Sequence, residues 1–81
     1  MSEQLVNRLK EAILDVPDFP KPGISFKDIM PVLRNPELLA DTIDALAELF
    51  TDNTVDVVAG PESRGFLFGV LLAQKLGVPF V

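Results

Sequence analysis

Residues 17–36 carry five prolines in twenty positions and show no apolar period. Each proline fixes its own φ and removes an amide donor, so the stretch cannot run as a regular helix or as a central strand. An extended, pre-stiffened loop is the expectation. Within it, Pro22-Gly23 matches the two central positions of a type II turn, because proline presets the first φ and glycine accepts the positive φ of the second. Residues 24–29 should leave that turn as a short extended strand.

The flanking segments are periodic. Leu5, Leu9, Ala12, Ile13 and Val16 recur along one helix face while Glu3, Lys10 and Glu11 lie elsewhere. This predicts an amphipathic helix from about Ser2 to the break at Pro17. Asn35-Pro36-Glu37 reads as a helix start: an N-cap acceptor, a proline at the first position, and a carboxylate near the positive end of the dipole. The stripe Leu38, Leu39, Ile43, Leu46, Ala47 and Phe50 should be buried as far as Phe50, leaving Asp41, Asp44 and Glu48 to water. Their spacing would also suit a metal cluster, but a solvated face accounts for it more simply.

After a polar turn at residues 51–54, the run Val55-Asp56-Val57-Val58-Ala59 reads as a strand covered on both faces, stopped by Gly60. Helical spacing resumes from about Gly65 to Leu76, with Leu71, Leu72 and Leu76 as core positions and Gly77 placed to end the helix. Residues 78–81 open a second strand. Of Phe66 and Phe68, one is expected to pack inward and the other to lie near the loop, and the pattern does not choose between them. Strand, helix and strand joined by a short first loop make a parallel crossover unit, hence an α/β domain. Two such strands form a poor ladder by themselves, so the segment is expected to be the N-terminal part of a larger domain. Residues 1–34 would supply a helix and a binding loop, and residues 35–81 a helix and the first strand-helix-strand unit.

Composition narrows the chemistry. The chain has 81 residues, no Cys, no His and a net charge of −5, so imidazole bases, thiolates and disulfides are excluded. Seven scattered Lys and Arg do not form the basic stripe that nucleic acid requires. The longest apolar stretch is far shorter than a membrane span, and the N-terminus lacks the apolar core of a signal peptide. A cytoplasmic protein without nucleic-acid or membrane partners is expected.

Two segments carry candidate chemistry. Gly60-Pro61-Glu62-Ser63-Arg64-Gly65 lies between a predicted strand and a predicted helix, where open α/β sheets bind ligands. Helix-start amides favour an anion, Gly65 permits close backbone approach, and Arg64 offers a donor fork suited to phosphate. The plain alternative is a tight connection in which the glycines only satisfy geometry. In the second segment, residues 20–28, the Ser25 carbonyl and the Lys27 amide point the same way in extended backbone, and Phe26 adds an aromatic face. An acceptor beside a donor complements the exocyclic amine and N1 of adenine; a 6-oxo purine would oppose like groups. The plain alternative makes Phe26 a core anchor and leaves Lys27 and Asp28 solvated.

Together, Pro17-Asp18-Phe19-Pro20-Lys21-Pro22-Gly23-Ile24-Ser25-Phe26-Lys27-Asp28-Ile29 and Ala59-Gly60-Pro61-Glu62-Ser63-Arg64-Gly65-Phe66-Leu67-Phe68-Gly69 resemble the N-terminal half of the adenine phosphoribosyltransferase family. The resemblance implies a type I phosphoribosyltransferase fold with a Rossmann-like parallel sheet. It implies transfer of phosphoribosyl from phosphoribosyl pyrophosphate to adenine, giving AMP and pyrophosphate, with Mg2+ on the phosphates and a homodimeric complete enzyme. Ser25, Phe26 and Lys27 would then bind adenine. Glu62, Ser63, Arg64 and Gly65 would bind pyrophosphate, with a non-proline cis peptide at Glu62-Ser63. No catalytic or metal-ligating residue of the family falls in this segment, and the 81-residue chain alone is expected to be inactive. Alternatives are a regulator that binds the sugar phosphate, or a xanthine or guanine transferase.

Overall fold

The computed structural model describes residues 2–81. In chain order the elements are α1 (Glu3–Ala12), β1 (Leu14–Val16), β2 (Phe26–Asp28), α2 (Met30–Leu33), α3 (Pro36–Glu48) and α4 (Arg64–Leu76). They form two compact units, one ending at Asp41 and the other beginning at Thr42, with α3 contributing to both.

In the first unit, Ser2 caps α1 by accepting the Leu5 amide on its hydroxyl (3.1 Å). The helix ends at Ala12, short of the expected break at Pro17. Ile13 turns extended, and residues 14–16 pair antiparallel with residues 26–28, Leu14 opposite Asp28, Asp15 opposite Lys27 and Val16 opposite Phe26. Val16 is in phase with the helix, but the ladder gives its backbone partners that another helical turn before Pro17 would not.

Of the expected strand, only residues 26–28 are in the ladder. The proline segment also contains a helical turn that its composition argued against. In α2, Pro31 stands within the first positions, where its missing N–H is not needed, and Asp28 accepts the Met30 amide (3.0 Å). Asp28 is therefore engaged at a helix start and not merely solvated. Asn35 caps α3 as expected, its Oδ1 accepting the Leu38 amide at 3.1 Å. Leu5, Val32 and Leu38 form the buried centre of this unit. Asp41 is half-exposed but not left to water: Arg8 on α1 donates to it at 2.8 Å.

In the second unit, α3 stops at Glu48. The Phe50 amide bonds the Ala47 carbonyl and the Thr51 amide bonds the Glu48 carbonyl, tightening the last turn; Phe50 is exposed, contrary to the expected stripe, as is its neighbour Leu49. Ile43, Ala45 and Ala73 are buried. Leu71, Leu72 and Leu76 are only half-buried. Asp44, also expected to be solvated, is bound by Lys75 of α4 at 2.9 Å.

The doubly covered strand at residues 55–59 does not form. Val58 makes a single parallel bridge to Phe80, through Val58 N–H to the Pro79 carbonyl (3.0 Å) and Val81 N–H to the Val58 carbonyl (2.8 Å). The predicted parallel direction is present, but one bridge covers neither face, and Val57 is 47% exposed. Gly77 ends α4 in the left-handed conformation, φ 72°, as its position predicted.

Candidate functional sites

The first site grows from the proline loop. The Ile24 amide donates to the Lys21 carbonyl (3.2 Å) across Pro22 and Gly23, whose φ is 86°, as a type II turn requires. Two further bonds close the loop from inside. The Gly23 amide donates to Asp18 Oδ1 (2.9 Å) and the Phe19 amide donates to the Ile24 carbonyl (3.0 Å). The chain leaves this knot directly into Ser25, Phe26 and Lys27, so the three residues read as adenine-binding start from a fixed point.

Strand alternation puts Phe26 and Lys27 on opposite faces of the hairpin. On one face the Phe19 and Phe26 rings meet edge-on, centroids 5.4 Å apart and planes at 66°. On the other, the Lys27 ammonium pairs with Asp15 directly across the ladder. That side carries an open concavity of about 430 Å³ lined by Lys10, Ile13, Asp15 and Lys27. Asp18, Phe19 and Asp15 did not stand out in the sequence. An Asp five residues before a turn glycine was the available signal for the first of them.

The second site is the turn into α4. Glu62, Ser63 and Arg64 are exposed and Gly65 is half-buried. The Ser63 carbonyl accepts the Phe66 and Leu67 amides, at 3.0 and 3.3 Å, and so starts the helix, but the Ser63 side chain provides no cap. Its backbone lies at φ 69°, ψ −103°, a conformation that L residues rarely adopt and that costs of order 1–3 kcal/mol. The Glu62–Ser63 peptide is trans, contrary to the family-based expectation; the turn is made by this positive φ.

The glycines of this turn also serve its closure. A Cβ on Gly65 would lie 2.6 Å from Pro61 Cδ, and one on Gly60 would lie 2.8 Å from the Gly65 carbonyl oxygen. The loop therefore closes by contact of its own ends. Arg64 is the first residue of α4, at the positive end of the helix dipole, and the first turn carries no acidic residue. Phe66 lies edge-on to Phe80 at 5.8 Å, and Phe80 occupies the space over Gly69, where a Cβ would be 2.4 Å from its ring. The inward choice left open by the sequence is thus divided: Phe66 is 45% exposed and engaged by a ring edge, while Phe68 is half-buried.

Among the described residues no group of three or more acidic, His or Cys side chains is placed to hold a metal, and no helix is long and apolar enough to cross a membrane.

No family model matches the chain. Curated relatives do. The chain is 52% identical over 81 residues to the adenine phosphoribosyltransferase of Mycoplasmoides gallisepticum, covering 100% of this chain and 46% of that protein. It is 58% identical over 73 residues to that of a Cyanothece strain, covering 90% and 43%. Among solved structures, the adenine phosphoribosyltransferase of Saccharomyces cerevisiae, complexed with D-2,5-dideoxy-2,5-imino-altritol 1,6-bisphosphate and adenine, superposes with a TM-score of 0.89 at 45% identity, covering 99% of this chain and 48% of that one. The chain spans less than half the length of these relatives.

Proposed function

From a chain related in sequence and in fold to the N-terminal portion of the adenine phosphoribosyltransferases, we propose that the whole protein transfers phosphoribosyl from phosphoribosyl pyrophosphate to N9 of adenine in purine salvage. The observation that carries this reading is the yeast relative, which is complexed with adenine and with an imino-altritol bisphosphate and matches this chain over 99% of its length.

In this reading the Ser25 carbonyl accepts from the exocyclic amine of adenine, the Lys27 amide donates to N1, and Phe26 packs on the ring. Guanine presents an oxygen to that carbonyl and an N–H to that amide, so two like pairs face each other. A buried mismatch of this kind discriminates by about 10⁴-fold or more. Glu62, Ser63, Arg64 and Gly65 hold the diphosphate. As C1′ leaves the diphosphate oxygen for adenine N9, negative charge grows on the departing group, and the Arg64 guanidinium and the α4 dipole stabilise it.

Mg2+ fits as a companion of the substrate. It binds readily through phosphates and retained waters, and the described residues supply no carboxylate cage of their own. When bound it would neutralise diphosphate charge, while Arg64 orients the leaving group.

Calorimetry of the full-length protein with adenine and with guanine tests the assignment. Adenine should bind far more tightly. Tighter guanine binding would exclude the donor and acceptor roles given to Ser25 and Lys27.

A further inference from the structure

We propose that Asp18 and Phe19 are positioning residues for adenine recognition, acting through Phe26; the inference rests on the adenine reading above. A flat ring that packs on a nucleobase must be held at one tilt, and a half-buried phenylalanine at a strand start gains that tilt from its neighbours. Phe26 is only half-buried, and Val16 is its partner across the ladder.

A restraint on the ring itself is Phe19, whose ring meets Phe26 at 5.4 Å and 66°. Phe19 itself is 50% exposed, so its packing is only partial. Its backbone is held as well. Its amide is tied to the Ile24 carbonyl, and the neighbouring Asp18, at φ 53°, ties its carboxylate to the Gly23 amide. Asp18 therefore fixes the loop, the loop fixes Phe19, and Phe19 sets the plane that Phe26 offers to the base. The Ser25 carbonyl and the Lys27 amide flank Phe26 in the chain, so the same restraint fixes the direction of both polar groups.

Steady-state kinetics of the full-length protein distinguish this from a general structural role. An edge-on aromatic pair contributes about 3- to 10-fold in affinity when lost. Phe19→Ala should therefore raise KM for adenine by about that factor. KM for phosphoribosyl pyrophosphate and the midpoint of thermal unfolding should stay near the parent values. Phe19→Tyr, which keeps the ring, should restore the adenine KM. Asp18→Ala should raise KM for adenine and not that for phosphoribosyl pyrophosphate, with a lower unfolding midpoint because alanine is strained at φ 53° and the bond to Gly23 is lost, and Asp18→Asn, which keeps the acceptor, should repair both.

A parent protein that does not use adenine overturns the adenine reading itself. A parent that does, with Phe19→Ala unchanged in adenine KM or raised equally for both substrates, overturns the positioning role alone. If Phe19→Ala does not fold, Phe19→Leu takes its place under the same criterion.

Discussion

The turn at residues 18–24 and the turn at residues 60–65 both combine proline with glycine, and they are closed by different forces. The first is tied by three hydrogen bonds, and a Cβ on Gly23 would meet nothing within 4 Å. The second is closed by shape, with Gly60, Pro61 and Gly65 in mutual contact and no space for a methyl group at either glycine. The loop proposed to orient polar groups toward a flat base is held by directional bonds. A loop that must bring a backbone round to a helix start is held by the absence of side chains.

The largest expected effect separates the two by charge. Only the second turn carries a guanidinium to the proposed leaving group. Arg64→Ala in the full-length protein should lower kcat by about 10²-fold or more, the scale of losing one transition-state donor, while adenine KM changes little. Turnover assays with saturating adenine read this directly.

Next comes the same substitution in both places. Gly65→Ala forces a methyl against a proline ring and the Gly60 backbone and should destabilise by about 1–3 kcal/mol, despite the better helix propensity of alanine. Gly23→Ala meets no atom and faces only the left-handed backbone cost, about 1 kcal/mol. Urea unfolding of the two variants measures the difference. Equal losses would mean that the second turn relaxes and is not held by shape.

The smallest effect concerns Lys75 and Asp44. The hydrogen bond and charge of Asp44 raise the Lys75 pKa above its ordinary 10.5. A raised folded pKa means that the pair's contribution is fully present below the unfolded value and fades as pH climbs through the folded one. Unfolding midpoints taken at about pH 9 and about pH 11.5 should therefore fall slightly more in the parent than in Asp44→Asn.

The contrast between the turns also explains what could be read in advance. Asn35-Pro36, Pro22-Gly23 and Gly77 were legible because each acts through its own backbone or nearest neighbours. β1 was not, because Val16 in phase with the helix gave no sign that Phe26, ten positions beyond it, would claim this segment. Residues 55–59 were overread: a β-branched run states a preference, and pairing needs a partner along its whole length. At the proposed diphosphate site the position of Arg64 was plain, whereas the contact between Gly60 and Gly65 exists only once the chain has folded back. Asp18 and Phe19 were hidden likewise, since their partners are reached only through the closed turn.

The notch that Gly69 leaves in α4 has a consequence for the strand that follows. Phe80 fills it and is at the same time the residue that bridges to Val58. Sliding the terminal segment by one position would present Pro79 or Val81 to the hollow and swing the phenyl ring to the other side. Position 69 thus serves as an alignment mark, fixing the registration of a parallel pair that a single bridge could not specify.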